Sequence, residues 1–411
     1  MAVDCERAPT PADAIAGVAA RRVFEPTSAQ DCADVFQAAR AGGMALAPIG
    51  GGTELGLGAP PARLDAVVST RRLDRIVDYA PSDQIVVVEA GARLSTVQRA
   101  LQARSQRLAS DPPLPDRATI GGLLSTNNFG PLRTRYGSLR DLLIGVSFVR
   151  ADGRVARGGG RVVKNVAGFD MPRLMVGALG TLGMIVTATF RLHPSPERET
   201  TLRVSGAPAR VVRAVVAQMR QDQIEPAAVA ALGAGGAFDV LLRFEGFPAA
   251  VLAQRDRAAA LLGRLESRFD ELSPEQARDA WREHDAARTR GGARVKISAP
   301  AATIEAVASE VLPGLVGTLA GAAVVAYPTI GTWFVAGEVN DAAAFAGSVP
   351  SARSRAARVG GSLVVHELPA GLRGAVDVWG PPPPAFGLMR RVKERFDPER
   401  RLNPGRFVGG L

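Results

Sequence analysis

Three consecutive glycines, Gly50-Gly51-Gly52, stand one residue after an apolar segment, Met44–Pro48, that predicts a buried strand. Glycine has no Cβ atom, so the backbone of such a run approaches a ligand closely and turns successive N–H groups toward one point. This arrangement binds an anion without any positively charged side chain, and the expected ligand is a phosphate or a pyrophosphate. An isolated Gly-Gly-Gly run also fits a flexible hairpin tip, so the interpretation depends on the rest of the chain.

Other segments share this composition. Thr119–Gly122 and Asn127–Gly130 place small residues and side-chain amides within Pro112–Gly137, a stretch for which we predict no regular structure. Lys164–Asp170 and Gly177–Gly183 form a further group. Long irregular stretches inside compact domains usually carry function. Such dispersed contacts suit a ligand with a pyrophosphate, a ribityl chain and two ring systems better than a single nucleotide.

The order of predicted elements indicates an α+β protein of more than one domain. In the first half strands alternate with helices, and one helix is predicted to begin after Ser28, its N-cap, and to end at Gly42-Gly43. The Asp152-Gly153 turn predicts a hairpin between Asp141–Val149 and Arg154–Arg157. Pro194-Ser195-Pro196 indicates a domain boundary. Beyond it, the pattern strand–helix–strand–strand–helix–strand predicts a split, ferredoxin-like sandwich. We predict domains at 15–195 and 196–380, followed by a C-terminal piece, 381–411, with a helix at Phe386–Phe396.

The net charge of +10 invites a nucleic-acid interpretation, which the distribution of charge opposes. Only three of the 50 basic residues are lysine, and acidic residues interleave with the arginines throughout. We attribute the excess to the amino-acid bias of a GC-rich genome and predict no nucleic-acid partner; an acidic partner or an anionic membrane surface is the alternative.

Several other classes of site are excluded by residue count and spacing. All three lysines follow valine, so the Gly-Lys pair of a phosphate-binding P-loop is absent from the sequence. Two cysteines and three widely spaced histidines do not predict a metal site or a disulfide framework, and they indicate a reducing compartment. The charge-free stretch between Glu310 and Glu338 is interrupted by Pro313 and Pro328, so it predicts two strands around a turn and no membrane span.

Four of these segments together resemble a known family. Pro48–Gly58, Thr119–Asp141, Lys164–Ile185 and Phe396–Arg406 are similar to the FAD-binding domain of the vanillyl-alcohol oxidase and p-cresol methylhydroxylase type. Within it, the nearest resemblance is to the FAD-binding subunits of bacterial glycolate oxidases. The resemblance implies a two-subdomain FAD-binding domain, a smaller α+β cap domain, and a C-terminal tail that returns to the first domain.

The resemblance also implies which residues bind FAD. The Gly50 loop would hold the pyrophosphate, the Thr119 segment would line the second side of the cofactor, the segment after Gly183 would pass the adenine or ribityl portion, and the tail would lie near the flavin ring. The implied cofactor-binding residues are Pro48, Gly50, Gly51, Gly52, Thr53, Glu54, Leu55, Thr119, Ile120, Gly121, Gly122, Ser125, Gly130, Asp141, Gly183, Ile185, Val186, Asn403 and Arg406. Residues 1–192 hold no histidine to carry a covalent link, so we expect FAD to bind non-covalently. Replacing Gly51 with valine should abolish FAD binding, and removing the tail before Asp397 should raise the dissociation constant for FAD tenfold or more.

The histidines bear on catalysis. Related 2-hydroxyacid dehydrogenases carry a histidine-rich metal site in the second domain, whereas this sequence offers there only His366, a weak catalytic candidate, and His284 in a charged helix. We therefore predict no metal and no assigned catalytic residue. His193 stands at the domain boundary, before a proline.

Three functions follow from this resemblance. The first is an FAD-binding subunit of a multisubunit glycolate oxidase, acting on a small 2-hydroxyacid beside a catalytic flavoprotein subunit and an iron–sulfur subunit. The second is a self-sufficient FAD-dependent 2-hydroxyacid dehydrogenase of the D-lactate type, and the third is an FAD-binding scaffold without turnover. We expect a cytoplasmic protein, associated with the inner membrane only through its partners.

Overall fold

The computed structural model describes residues 5–161, 168–234 and 236–411, so most of the Lys164–Asp170 segment lies outside the described residues. The chain divides into two compact units. Unit 1 comprises the described residues as far as Phe129 together with those of Gly137–Pro194 and Pro381–Leu411. Unit 2 comprises Gly130–Tyr136 and the described residues of Ser195–Gly380. The predicted mixture of helices and sheets is confirmed.

Unit 1 contains a four-stranded sheet in which three strands run parallel. Its strands, in the spatial order β1-β2-β4-β3, are β1 (Glu6–Arg7), β2 (Arg22–Phe24), β3 (Leu46–Ile49) and β4 (Ala66–Ser69). Helix α1 (Ala29–Ala41) connects β2 to β3, and Ser28 Oγ accepts a hydrogen bond from Asp31 N at 3.1 Å, which confirms the predicted N-cap. Phe36 of α1 is fully buried against Val68 of β4 in the core.

A five-stranded antiparallel sheet forms the second part of unit 1. Its spatial order is β5-β6-β10-β8-β9, with β5 (Ile76–Ala80), β6 (Ile85–Glu89), β8 (Leu143–Val149), β9 (Val155–Gly159) and β10 (Met184–Arg191). The hairpin predicted at Asp152-Gly153 is confirmed between β8 and β9. A short antiparallel pair joins β7 (Gln106–Arg107) to β11 (His193–Pro194). The helices of this part are α2 (Leu94–Gln102), α3 (Ile120–Thr126), α5 (Leu139–Leu142) and α6 (Met171–Met175).

Helix α3 contradicts the expectation that 112–137 is irregular throughout. Its sequence is poor in helix formers, since Gly121 and Gly122 occupy the first turn. Two tertiary features offset that propensity. Thr119 caps the helix, its hydroxyl accepting from Gly122 N at 3.4 Å, and Gly121 N donates to the Ala90 carbonyl at 2.7 Å. A Cβ at residue 121 would lie 2.8 Å from Ala90 Cβ, so the glycine is required for this close packing.

Unit 2 is built on one antiparallel sheet of eight strands. Its spatial order is β15-β12-β14-β13-β17-β18-β16-β19, with β12 (Arg198–Pro208), β13 (Ala228–Gly233), β14 (Ala237–Gly246), β15 (Phe269–Glu271), β16 (Ala293–Ser298), β17 (Leu319–Tyr327), β18 (Thr332–Val339) and β19 (Ser362–Glu367). Its helices are α4 (Arg133–Tyr136), α7 (Ala209–Gln221), α8 (Pro248–Arg264), α9 (Pro274–Arg288), α10 (Ile304–Ala306), α11 (Leu312–Val316) and α12 (Ala342–Arg358), with a π-helical segment at Val307–Val311.

The ferredoxin-like pattern occurs twice in unit 2. When the strands are numbered along the chain within each half, their spatial order is 4-1-3-2 in β12–β15 and 2-3-1-4 in β16–β19. The second order is the first one listed from the opposite edge, so both halves have the same topology. The halves join where β13 pairs with β17. The sequence predicted the second half but missed β12, β13 and β15 of the first half, so the duplication became visible only in the sheet.

The charge-free stretch folds as predicted, into β17 and β18 around a turn at Pro328–Ile330. Gly331 ends the turn with φ +62°, and a Cβ there would lie 1.8 Å from the Ala299 carbonyl oxygen. Across the described ranges, the structure contains no helix with the length and apolar character that a membrane crossing requires.

The C-terminal piece belongs to unit 1. Helix α13 (Phe386–Phe396) has the predicted bounds. The following tail runs beside β3, where Leu46 N donates to the Arg401 carbonyl and Asn403 N donates to the Leu46 carbonyl, both at 2.8 Å. Leu402 is fully buried in the core of unit 1, so this piece completes the first unit although it follows the second in sequence.

Candidate functional site

The described residues of unit 1 enclose a cleft at the carboxyl ends of the parallel strands β3 and β4. It has about 720 Å³ of empty space, open to solvent. Five segments line it: Pro48–Leu55 at the end of β3 and beyond it, Thr70 after β4, helix α3, the turn before β10 with the start of that strand, and the tail. Ligand clefts in sheets with parallel strands lie at this edge, because the loops after neighbouring strands meet there. The cleft is therefore the candidate site.

Close contacts within the protein already require glycine at positions of this loop, before any ligand is considered. A Cβ at Gly50 would lie 2.1 Å from Thr119 Oγ1, and one at Gly51 would lie 1.7 Å from the Arg117 carbonyl oxygen. Gly52 has φ +73°, which side-chain-bearing residues rarely adopt. Gly51→Val would therefore not test FAD binding alone, because valine at 51 would also displace the loop from residues 117–119.

The Thr119 hydroxyl joins the loop to helix α3. Its oxygen accepts from Gly51 N at 3.2 Å and from Gly122 N at 3.4 Å, and the residue is buried. One side chain thus fixes both the loop and the first turn of the helix. A Cβ at Gly122 would have only Thr119 Oγ1 nearby, at 3.1 Å, so Gly122 presents an open surface in the cleft.

Two side chains of the tail complete the cleft. Asn403 is buried and donates from Nδ2 to the Leu179 carbonyl at 2.6 Å. Arg406 donates from Nη2 to the Leu55 carbonyl at 3.1 Å and to the Leu57 carbonyl at 2.5 Å. Arg406 thereby holds the chain that follows the glycine loop.

The structure brings most of the sequence-predicted residues together in this cleft. Those that line it are Pro48, Gly50, Gly51, Gly52, Thr53, Glu54, Leu55, Gly121, Gly122, Ser125, Gly183, Ile185, Asn403 and Arg406. Thr119 lies immediately behind the lining, and Glu54 Oε1 accepts from Asn128 Nδ2 at 3.0 Å. These residues come from four separate parts of the chain, as the resemblance implied.

Four predicted residues lie elsewhere. Ile120 and Val186 are buried and do not line the cleft. Gly130 belongs to the segment of unit 2 at Gly130–Tyr136. The Asp141 carboxylate accepts from Ser138 N at 2.8 Å and from the Ser138 hydroxyl at 3.0 Å, so its visible role is to cap α5.

Sequence reasoning missed several lining residues: Ile49, Thr70, Thr126, Leu179, Gly180 and Met184. The parallel pairing of β4 with β3 places Thr70, which follows β4, beside the glycine loop, where its N donates to the Ile49 carbonyl at 2.9 Å. A prediction of parallel strands would have found this residue. Leu179 and Gly180 belong to the Gly177–Gly183 turn already singled out, and they join the site through Asn403.

Two histidines lie in unit 2 around one aromatic group. His284 is buried, with Nδ1 3.0 Å from Asp285 Oδ1 and Nε2 3.0 Å from the Tyr327 hydroxyl. Burial lowers the pKa of His284 below its ordinary value despite the opposing effect of Asp285. The His366 ring contacts Phe334, which contacts Tyr327. Among the residues described, no three His, Cys, Asp or Glu side chains form a metal-binding group.

Comparison with known proteins defines the class of domain. Residues 20–159 match the FAD binding domain family. The structure of p-cresol methylhydroxylase with substrate bound superimposes with a TM-score of 0.76 over 96% of this chain and 91% of that chain, at 16% identity. Residues 20–159 are therefore similar to an FAD-binding domain, and the chain has the p-cresol methylhydroxylase type of fold, as the resemblance implied.

The sequence relatives are more specific. The chain is 32% identical over 184 residues to glycolate oxidase subunit GlcE of Escherichia coli, covering 44% of this chain and 51% of that protein. It is 30% identical over 184 residues to D-lactate dehydrogenase of Archaeoglobus fulgidus, covering 44% of this chain and 41% of that protein. The matched segment thus spans about half the length of the first relative and less than half the length of the second.

The residues of the cleft fit FAD. Backbone, glycine and hydroxyl groups form most of the lining, which suits close approach to a pyrophosphate. Asn403 Oδ1 is buried and has no hydrogen-bond partner within the described part of the chain, so it is positioned to accept a hydrogen bond from a ligand. A buried acceptor without a partner costs free energy, which a ligand donor would recover.

Proposed function

We propose that this chain is the FAD-binding subunit of a glycolate oxidase-type complex that oxidises a small 2-hydroxyacid. The cleft of unit 1 carries the proposal, because its glycine loop and its unpaired Asn403 oxygen suit FAD. The relatives add the reaction class: one is named a glycolate oxidase subunit, and another a D-lactate dehydrogenase. Glycolate and D-lactate are both 2-hydroxyacids.

Each lining segment has a part in holding the cofactor. The loop at Gly50–Thr53 would hold the pyrophosphate, with Thr119 fixing the loop from behind. Asn403 would accept a hydrogen bond from the cofactor, and Arg406 would keep the loop closed through the Leu55 and Leu57 carbonyls. When bound, FAD supplies a hydride acceptor for oxidation of a hydroxyl group.

Oxidation of a 2-hydroxyacid also needs a base, because the hydroxyl proton must leave as the hydride is transferred. Both ring nitrogens of His284 contact protein groups, and its lowered pKa favours the neutral, buried state. His366 packs against Phe334. This arrangement supports a division of labour in which a catalytic flavoprotein subunit supplies the base and an iron–sulfur subunit carries electrons away.

A self-sufficient 2-hydroxyacid dehydrogenase is the second candidate. Its support is the similarity to D-lactate dehydrogenase, which is nearly as high as the similarity to the glycolate oxidase subunit. In that case His366, on the accessible end of the aromatic group, would be the first residue to replace.

Rapid-mixing spectroscopy on the FAD-loaded chain tests the proposal. We expect no bleaching of the flavin by glycolate or D-lactate without oxygen when the chain is alone. Bleaching and electron transfer to a dye should appear when a catalytic flavoprotein subunit and an iron–sulfur subunit are added. The same two subunits without this chain are the control.

Two results would contradict the proposal. Fast bleaching of the isolated chain, abolished by His366→Ala, would establish the self-sufficient dehydrogenase. A reconstituted complex whose activity is the same with and without this chain would favour the scaffold without turnover.

A further inference from the structure

A buried ion pair lies behind the cleft, outside the residues that line it. Lys393 Nζ is 2.7 Å from Asp397 Oδ2, and the side chains are 3% and 0% exposed. The ammonium group also donates to the Thr181 carbonyl at 2.8 Å and to the Leu402 carbonyl at 2.9 Å. A lysine has three N–H donors, so this geometry provides an acceptor for each one.

Asp397 organises the tail on the other side of the pair. Its Oδ1 accepts from Arg401 N at 3.0 Å, and its Oδ2 accepts from Leu402 N at 2.7 Å. The carboxylate thus folds the chain after α13 into the turn that leads to Asn403. The pair fixes the direction in which the tail enters the cleft.

On the side of the cleft, Lys393 binds the turn at Leu179–Gly183. Lys393 binds its Thr181 carbonyl, and Asn403 binds its Leu179 carbonyl at 2.6 Å. Leu179, Gly180 and Gly183 all line the cleft. One side chain of helix α13 and one of the tail therefore hold this wall of the site through hydrogen bonds to backbone carbonyls.

Two charged side chains, Lys393 and Asp397, occupy a position where apolar side chains would be expected. Burying an ion pair costs so much desolvation that an apolar pair of similar size is often equally stabilising. Burial accordingly lowers the pKa of Lys393. An apolar side chain could fill the space, but it could not bind the carbonyl of the turn and the carboxylate of the tail together.

We propose that Lys393 and Asp397 are positioning residues that couple docking of the C-terminal tail to FAD binding. The proposal rests on FAD binding in the cleft of unit 1. Coupling is reciprocal, so bound FAD should stabilise the docked tail by the same free energy by which the docked tail stabilises bound FAD. The pair then does more than stabilise unit 1.

Lys393→Met tests the first half of the coupling. It keeps the length of the side chain and removes the bond to Thr181, and we expect the Kd for FAD to rise at least tenfold. Hydrogen exchange at 179–185 should be faster in the apo variant than in the apo wild type. Arg395→Met removes an exposed charge from the same helix and should bind FAD like the wild type.

A second control separates positioning from general stability. Val97→Ala opens a cavity under helix α2 in the same unit, at a side chain that belongs neither to the lining of the cleft nor to the core cluster of Leu402. It should lower the melting temperature while leaving the Kd for FAD within twofold of the wild-type value. If Lys393→Met and Val97→Ala bind FAD equally well, the pair is only structural and the proposal is overturned.

Hydrogen exchange of the wild-type chain tests the reciprocal half and needs no variant that might fail to fold. FAD at 100 times its Kd should slow exchange at the Leu402 and Asn403 amides at least tenfold. Protection at Gly51 and Gly122 without protection of the tail would overturn the coupling and leave FAD binding intact. No protection anywhere, with no bound flavin spectrum, would instead contradict FAD binding itself.

Discussion

At the scale of single residues, the approach of two backbone segments decides where unit 1 needs glycine. Gly50 and Gly51 face Thr119 and Arg117 at distances that no side chain allows. Gly122 differs, because its hydrogen atoms face the cleft. Glycines that look equivalent in the sequence therefore divide into those that serve packing and those that serve the ligand.

Gly122→Ala separates these roles. Alanine favours a helix by about 0.5–1 kcal/mol over glycine, and the contact with Thr119 Oγ1 at 3.1 Å offsets part of this gain. We expect the free energy of unfolding of the apo protein to stay within about 1 kcal/mol of wild type. The methyl group would occupy cofactor space, so the Kd for FAD, measured by flavin fluorescence, should rise about tenfold, equivalent to about 1.4 kcal/mol.

Gly263→Ala is the matched control, since this helical glycine of α8 has open space around it. It should stabilise unit 2 slightly and leave the FAD affinity unchanged. Normal FAD affinity in Gly122→Ala would remove α3 from the cofactor site.

His284 makes the stability of unit 2 depend on pH. Its pKa is lowered in the folded protein, so below the ordinary value near 6.5 the unfolded chain binds a proton that the folded chain does not. The contribution of neutral His284 is complete above that pH and decreases as the pH falls. We expect the free energy of unfolding of wild type to decrease more between pH 7.5 and 5.5 than that of His284→Gln; equal decreases would refute this assignment.

At the scale of elements, the side chain of Thr119 links helix α3 to the glycine loop. The loop ends β3, the helix follows an extended segment, and the Thr119 hydroxyl accepts from both. Their shared acceptor makes the order of one depend on the other.

Thr119→Ala should therefore affect both elements at once. Loss of an N-cap costs about 1 kcal/mol, and the Gly51 amide also loses its acceptor. We expect the FAD affinity to fall about fivefold to tenfold, with a reduced melting temperature. Thr119→Ser keeps the hydroxyl and should restore both quantities to near wild type; failure of serine to do so would assign the effect to the lost methyl group.

At the scale of the whole molecule, the chain leaves unit 1 at Pro194 and returns to it at Pro381. Apart from Gly130–Tyr136, unit 2 is thus an insertion between two parts of the first unit, with a duplicated ferredoxin-like topology of its own. The tail that returns contributes Asn403 and Arg406 to the cleft. A cut before Asp397 would also remove the partner of β3 and a buried leucine, so truncation would test folding as well as FAD binding.

FAD should consequently stabilise one unit selectively. A ligand at 100 times its Kd adds about 2.7 kcal/mol to the stability of the part that binds it. We expect FAD to slow hydrogen exchange throughout unit 1, including the tail beyond Pro381, and to leave the sheet of unit 2 unchanged. Equal protection of both units would show that they unfold together.

The sequence by itself determined the features that depend on local chemistry. Ser28 predicted the start of α1, Asp152-Gly153 predicted a hairpin, and Pro313 and Pro328 predicted two strands around a turn. The glycine clusters and the tail also indicated the candidate cofactor segments, because few residue types allow close backbone approach. These signals lie within a few residues of the structure that they specify.

Only the tertiary structure decided the rest. Helix α3 forms against its own propensity because Thr119 caps it and Gly121 packs on Ala90. Thr70 reaches the cleft because β4 pairs in parallel with β3. The roles of Gly51 and Lys393 depend on groups 66 and 212 positions away, the Arg117 and Thr181 carbonyls. Distances across such separations are set by packing of the whole unit, which no local pattern encodes.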